Sequence, residues 1–209
     1  MVLTFLLIIL LIHFLSIGLA NSVFLNFSFL YVTDTLHVSN SDMTYVIVTA
    51  TVSEAVMFPF TARLIRLLRG TMPSIIVGSV AHFVRFYAMS YDISFGVFVA
   101  LQTLSALGFA LAFAAMMEHC HQITPEPIRV SMSTIMTTLF FIVSNFVANV
   151  VGAKIYEVHG GKMLFWGQAL LCGGWSLLIL IRYASKYLKG CCNRRENDSD
   201  VIMCNNVAV

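Results

Sequence analysis

Apolar residues fall along this chain in long blocks, not in alternation. The blocks cover about 4–32, 44–64, 74–91, 93–117, 128–151 and 163–183, and short polar connections join them. Each is close to the ~20 residues that carry a helix across a ~30 Å hydrocarbon layer. Lipid gives the backbone no hydrogen-bond partners, so spans of this length close their bonds internally as helices. The pattern predicts an all-α integral membrane protein with six transmembrane helices over residues 1–189. Residues 190–209 ("CCNRRENDSDVIMCNNVAV" after Gly190) form a polar cytoplasmic tail that reads as disordered.

Composition sharpens this reading. Hydrophobic residues make up 59% of the 209 and charged residues 11%, and mean hydropathy is +0.88. A soluble domain carries about 25% charged residues. The bilayer is therefore the expected solvent, and a net charge of +2 gives no footprint for nucleic acid. Nine basic residues fall on one side of the blocks: Arg63, Arg66, Arg69, Arg129, Arg182, Lys186, Lys189, Arg194 and Arg195. Lys154 and Lys162 fall on the other, and Arg85 lies inside a block. The positive-inside rule then puts both termini in the cytoplasm. The plasma membrane is the default address.

The first block resembles a signal peptide only in part. It lacks a basic leader, exceeds the usual apolar core of about 7–15 residues, and stays apolar past Ala20. We expect a retained helix. None of the five cysteines lies on the outer side of this topology, which disfavours a disulfide framework. Cys191 and Cys192 follow the last block among basic residues, where they read either as palmitoylation sites or as plain thiols.

Polar groups within the blocks need a reason, since an intramembrane charge costs at least ~2.5–3.5 kcal/mol near the centre. Glu54 sits mid-block, roughly 16 Å below the outer end at 1.5 Å per residue. Arg85 and His82 are one turn apart on the next block and share a face. The two blocks are antiparallel neighbours, so these groups can meet, as a structural ion pair or as a coupling or substrate site. Asn145 and Asn149 are spaced i,i+4, and Gln102 adds a third amide. Amides recognise neutral polyhydroxy or nucleoside-like solutes, or serve as interhelical glue. "MMEHCHQITPEP" brings Glu118, His119, Cys120 and His121 together in sequence, but adjacent helical residues diverge, unlike an i,i+4 zinc pair. No nucleotide loop or catalytic motif is present. The chain does not read as an enzyme and implies no cofactor.

Several stretches resemble the C-terminal half of the major facilitator superfamily, in the branch around lactose permease and the major facilitator superfamily domain-containing protein 6 group. "SEAVMFPFTARLIRLLRG" looks like that branch's eighth helix and the following loop. "SVAHFVRF" looks like its ninth, with Arg85 at the branch's arginine. "PEPIRVSMSTIM" is similar to the entry to helix eleven, and "VGAKIYEVHGGKMLF" to the turn before helix twelve. The likeness runs from about Ser16 to about Tyr183. It implies a 3+3 inverted repeat, a solute site between two such halves, and transport coupled to an ion, a proton above all. In lactose permease a histidine and a glutamate on helix ten belong to the coupling site; Ser105 and Gly108 stand there here.

The resemblance thus implies a half-length secondary transporter and symporter for a small polar solute. Glu54, His82, Arg85, Gln102, Asn145 and Asn149 would lie along the substrate or ion path. Its partners would be the bilayer, the solute, protons, and either a second copy or a complementary half. The rival reading is a non-transporting regulatory protein that binds a full-length relative.

Overall fold

The computed structural model describes the backbone of residues 2–39 and 41–207 and the side chains of residues 8–39 and 41–185. Five helices are long and apolar enough to cross a membrane. We number them α1 (Val2–Asp34), α2 (Met43–Leu67), α3 (Thr71–Met89), α4 (Phe95–Ile123) and α5 (Glu126–Ser185). Among the described residues there is no strand.

Several ends differ from those expected. α2 runs on to Leu67, carrying Arg63 and Arg66 within its last turns, and α4 continues to Ile123. Long basic side chains can ride on a helix that leaves the apolar layer, because their stems stay apolar while their heads reach water. The expected polar connection between blocks five and six is almost all helix. Lys154 pairs with Glu157 three residues on, at 3.1 Å, and the Tyr156 hydroxyl donates to Asp34 at 3.2 Å. The break is a single residue, Gly160, at φ 80 and ψ 173. That is left-handed backbone, which glycine enters without the clash a Cβ brings. The polar tail continues the same helix to Val207. Cys191 and Cys192 lie outside the residues whose side chains are described.

Side-chain partners show that the chain turns back at Gly160. Before it, α5 follows α1 in the same direction: Phe140 meets Phe14 (ring centres 5.2 Å apart), Ser144 lies against Gly18, and Gly152 against Phe27. After it the order reverses. Phe165 meets Tyr31 at 5.0 Å, Gln168 donates to the Ser16 carbonyl at 3.3 Å, and Trp175 faces His13 at 6.2 Å. Lys162 also bonds Asp92 across to the α3–α4 connection. α1 is therefore central, with the two arms of α5 beside it. α3 packs on the second arm, where Phe86 meets Phe165 and Phe83 covers Gly173.

The core has two apolar clusters. One surrounds Tyr31, Phe86, Phe98 and Phe165 towards the Asp34 end. The other surrounds Phe14, Ile75, Met116 and Phe140 towards the opposite end. Small residues let helices close up between them. A Cβ at Gly78 would lie 2.6 Å from that of Ala112, so α3 and α4 touch there nearly backbone to backbone, as small-residue faces allow in lipid. The outward surface is the reverse of a soluble one. Ile47, Val52, Val56, Ile142, Phe146, Leu170 and Leu178 are all exposed, which suits a hydrocarbon solvent.

Candidate functional site

α3 carries a polar stripe into this apolar interior. Ser79, His82 and Arg85 recur every three residues and are buried on one face, as helical spacing requires. Arg85 is fully buried and does not stand alone. Its Nε donates to Oε1 of Gln102 at 3.1 Å, and its Nη2 donates to the same oxygen. Its guanidinium carbon lies over the ring of Phe24 of α1, 4.0 Å from the ring centre. A desolvated cation over a ring contributes about 2 kcal/mol or more, which offsets part of the cost of burying the charge. Gln102 is held in turn by its amide, which donates to the Phe98 carbonyl at 2.6 Å. Among the described residues Nη1 of Arg85 has no hydrogen-bond partner.

Glu54 of α2 is half-buried, and the Ser105 hydroxyl donates to its Oε1. Among the described residues the ion pairs are Lys154–Glu157 and Lys162–Asp92. Glu54 and Arg85 therefore do not pair directly. Each is held by a neutral side chain, and the two neutral residues are three positions apart on α4. The carboxylate still lies within electrostatic reach of the guanidinium.

His82 fills the remaining space. Its ring stacks on Phe86 (6.0 Å, 23°) and presses on Gly108, where a Cβ would stand 2.9 Å from three ring atoms. The Gly108 backbone lies beside the ring without good hydrogen-bond geometry, and neither ring nitrogen has a partner at such geometry. The α4 backbone here is π-helical over Ala106–Leu111. Such widened turns are rare and concentrate at functional sites. Two residues in or beside this stretch touch Glu54 and His82. Ser105 bonds the carboxylate, and Gly108 makes room for the imidazole.

Sequence reasoning passed over His13, Ser79 and Phe24. His13 is fully buried, and its Nε2 shares a hydrogen bond with Ser79 Oγ at 2.9 Å. The signal was available, because a lone imidazole in an otherwise apolar first block needs a partner. Phe24 gave no signal, since one ring among 17 phenylalanines is invisible before the helices are docked.

The amides form a separate group. Oδ1 of Asn145 accepts from Asn149 at 2.9 Å and from Asn26 of α1 at 2.8 Å. Asn145 and Asn149 are exposed on the outside of α5; Asn145 lies between the π-helical turns Leu139–Val143 and Ala148–Gly152, and Asn149 lies within the second. Gln102 is not among them; it belongs with Arg85. The six expected site residues therefore divide into a buried set (Glu54, His82, Arg85, Gln102) and an outward pair (Asn145, Asn149). No hydrogen bond joins the two sets among the described residues. His119 shares a bond with Thr71 of α3 and His121 with Ser133 of α5, so the histidines of "MMEHCHQITPEP" face different helices.

Long apolar helices that bury an arginine, a histidine and amides, with a carboxylate at their edge, define a multi-pass integral membrane protein. The chain belongs to the MFS_1 like family, whose model matches residues 1–166, most of its length. That membership points to a transporter-type function rather than an enzyme. Comparison with curated proteins and with solved structures found no match.

Proposed function

We propose that this chain forms one half of a major facilitator transporter of the lactose permease-like branch. In this reading the membrane is crossed six times, the two arms of α5 being separate crossings, as two inverted sets of three. Both termini are cytoplasmic. A small polar solute is carried by symport with protons once a complementary half, on this chain or another, closes the cavity. The arrangement that supports this most is Glu54 held by Ser105 and Arg85 held by Gln102. A carboxylate beside a guanidinium but bonded to a neutral hydroxyl can gain or lose a proton without breaking an ion pair. Burial penalises its charge and the cation favours it, so a solute entering between them tips the balance.

The decisive experiment is transport by the assembled protein in sealed vesicles. Glu54→Gln should keep solute exchange and lose uphill uptake driven by a proton gradient. Full gradient-driven uptake by that variant would remove Glu54 from coupling.

The alternative is a regulatory membrane protein that binds a full-length relative without transporting. Its supporting observation is the outward ladder Asn26–Asn145–Asn149, a polar strip suited to another helix bundle. A complex with a full-length relative whose uptake falls as this chain is added would favour it.

A further inference from the structure

The α2–α3 connection and the end of α4 enclose an open notch of about 640 Å³ that the transport reading does not use. Arg66 and Arg69 line it with Gly70 and Thr71, Ala62 and Ile65 form an apolar wall, and Glu118 and Gln122 close the α4 side. The geometry is built rather than incidental. Arg66 Nε donates to the Ala62 carbonyl one turn back at 3.3 Å, which orients the planar guanidinium and leaves its two Nη groups as the donors to a ligand. Arg69 and Gly70 both adopt positive φ, 63 and 138, so the chain reverses sharply into α3. No side chain caps that helix at Gly70. Glu118 is engaged by Gln122, whose amide donates to it at 3.0 Å.

The notch lies where α2 ends at Leu67 and α3 begins at Thr71, which is the level of lipid headgroups. Ala62, one turn before Arg66 on α2, carries the apolar wall back towards the acyl layer. We propose that this notch binds the phosphate of an anionic membrane lipid, with Arg66 and Arg69 as its donors and Ala62 and Ile65 against the start of the acyl chains. Two guanidiniums match a phosphate in charge and in fork geometry. An apolar wall running into the bilayer selects a lipid over a free anion. Glu118 opposes the phosphate and limits affinity. Arg63, which instead lies over Phe60 at 5.9 Å, faces a different groove and takes no part.

The test uses the full chain in nanodiscs of phosphatidylcholine, with and without phosphatidylglycerol, read by retained lipid in native mass spectrometry and by the unfolding midpoint. Phosphatidylglycerol should be retained and should raise the midpoint. Arg66→Gln and Arg69→Gln should each weaken retention about tenfold or more, the loss of a charge-assisted hydrogen bond. Arg63→Gln, with the same loss of charge, should weaken it no more than about fivefold, the effect of one basic residue at an anionic surface. Glu118→Gln should strengthen retention, a gain that no folding defect can imitate. Equal losses from Arg63→Gln and Arg66→Gln would reduce the effect to bulk charge and overturn the site. Soluble glycerophosphate that stabilises the protein in pure phosphatidylcholine as well as the lipid does would overturn the lipid assignment. Neither result bears on coupling at Glu54, so the two readings stand or fall separately.

Discussion

Arg85 is fastened by one amide oxygen and one ring. Gln102→Leu would leave its Nε and Nη2 without an acceptor in an apolar interior. Leaving a buried charged donor without its neutral acceptor costs about 3 kcal/mol, so unfolding in lipid should move well down. Arg85→Met in the same chain should recover most of it. Glu54→Gln differs, because an amide oxygen can still accept from Ser105 and no ion pair is lost; its unfolding midpoint should stay near that of the native chain. The glycines give a sharper contrast. Gly108→Ala places a methyl against the His82 ring at 2.9 Å, and overpacking of this kind costs about 1–3 kcal/mol. Nothing lies within 4 Å of a Cβ at Gly96, so Gly96→Ala should be neutral or gain about 0.5–1 kcal/mol of helix preference. Thermal unfolding of both variants in one lipid decides it. At this scale the sequence made some things legible. His82 with Arg85, and Asn145 with Asn149, follow from helical spacing alone. The partners Gln102, Ser105, Phe24 and Asn26 depend on how each helix is rotated about its axis, which no local pattern encodes.

Helices were legible because block length and apolarity carry the signal, and long apolar helices stand where the blocks were. Their ends were not, because polar residues at a membrane surface can stay helical when a neighbour satisfies them. Tyr156 on Asp34 and Lys154 on Glu157 do this before Gly160. Gly160→Ala should therefore cost about 1–3 kcal/mol, because φ 80 with ψ 173 is backbone that only glycine readily adopts, measured as a lower midpoint. Orientation has its own test. A cysteine at Ser39 should react with an impermeant reagent from outside, and one at Leu67 only from inside, as the placement of basic residues requires. Reaction of both from one side would sink the alternating topology.

The whole molecule presents two unlike outer surfaces. Most is aliphatic and suits lipid, but Asn145 and Asn149 interrupt it. Polar side chains facing lipid are unfavourable and turn towards protein or a wet cavity. The chain should therefore associate in a native-like bilayer, with itself or with a complementary half. Asn145→Leu removes one of the two exposed amides and should weaken association roughly threefold, taking about 0.6 kcal/mol for one interhelical polar contact. Single-molecule photobleaching in lipid reads this directly, and a monomer at every density, with no partner captured, would contradict it. The sequence grouped Gln102 with the amides Asn145 and Asn149; in the docked helices Gln102 lies with Arg85 instead, and α1 stands between the buried charges and the amides of α5.

The cradle of Arg85 also constrains how this lineage can change. Lysine has no flat face to lay on Phe24 and cannot offer two parallel donors to one oxygen, so an Arg-to-Lys exchange at position 85 is a loss rather than a synonym. Positions 24, 85 and 102 come from three different helices, yet they form one unit of inheritance. Across relatives they should drift together or not at all, and a lineage that loses the arginine should release the aromatic and the amide soon after.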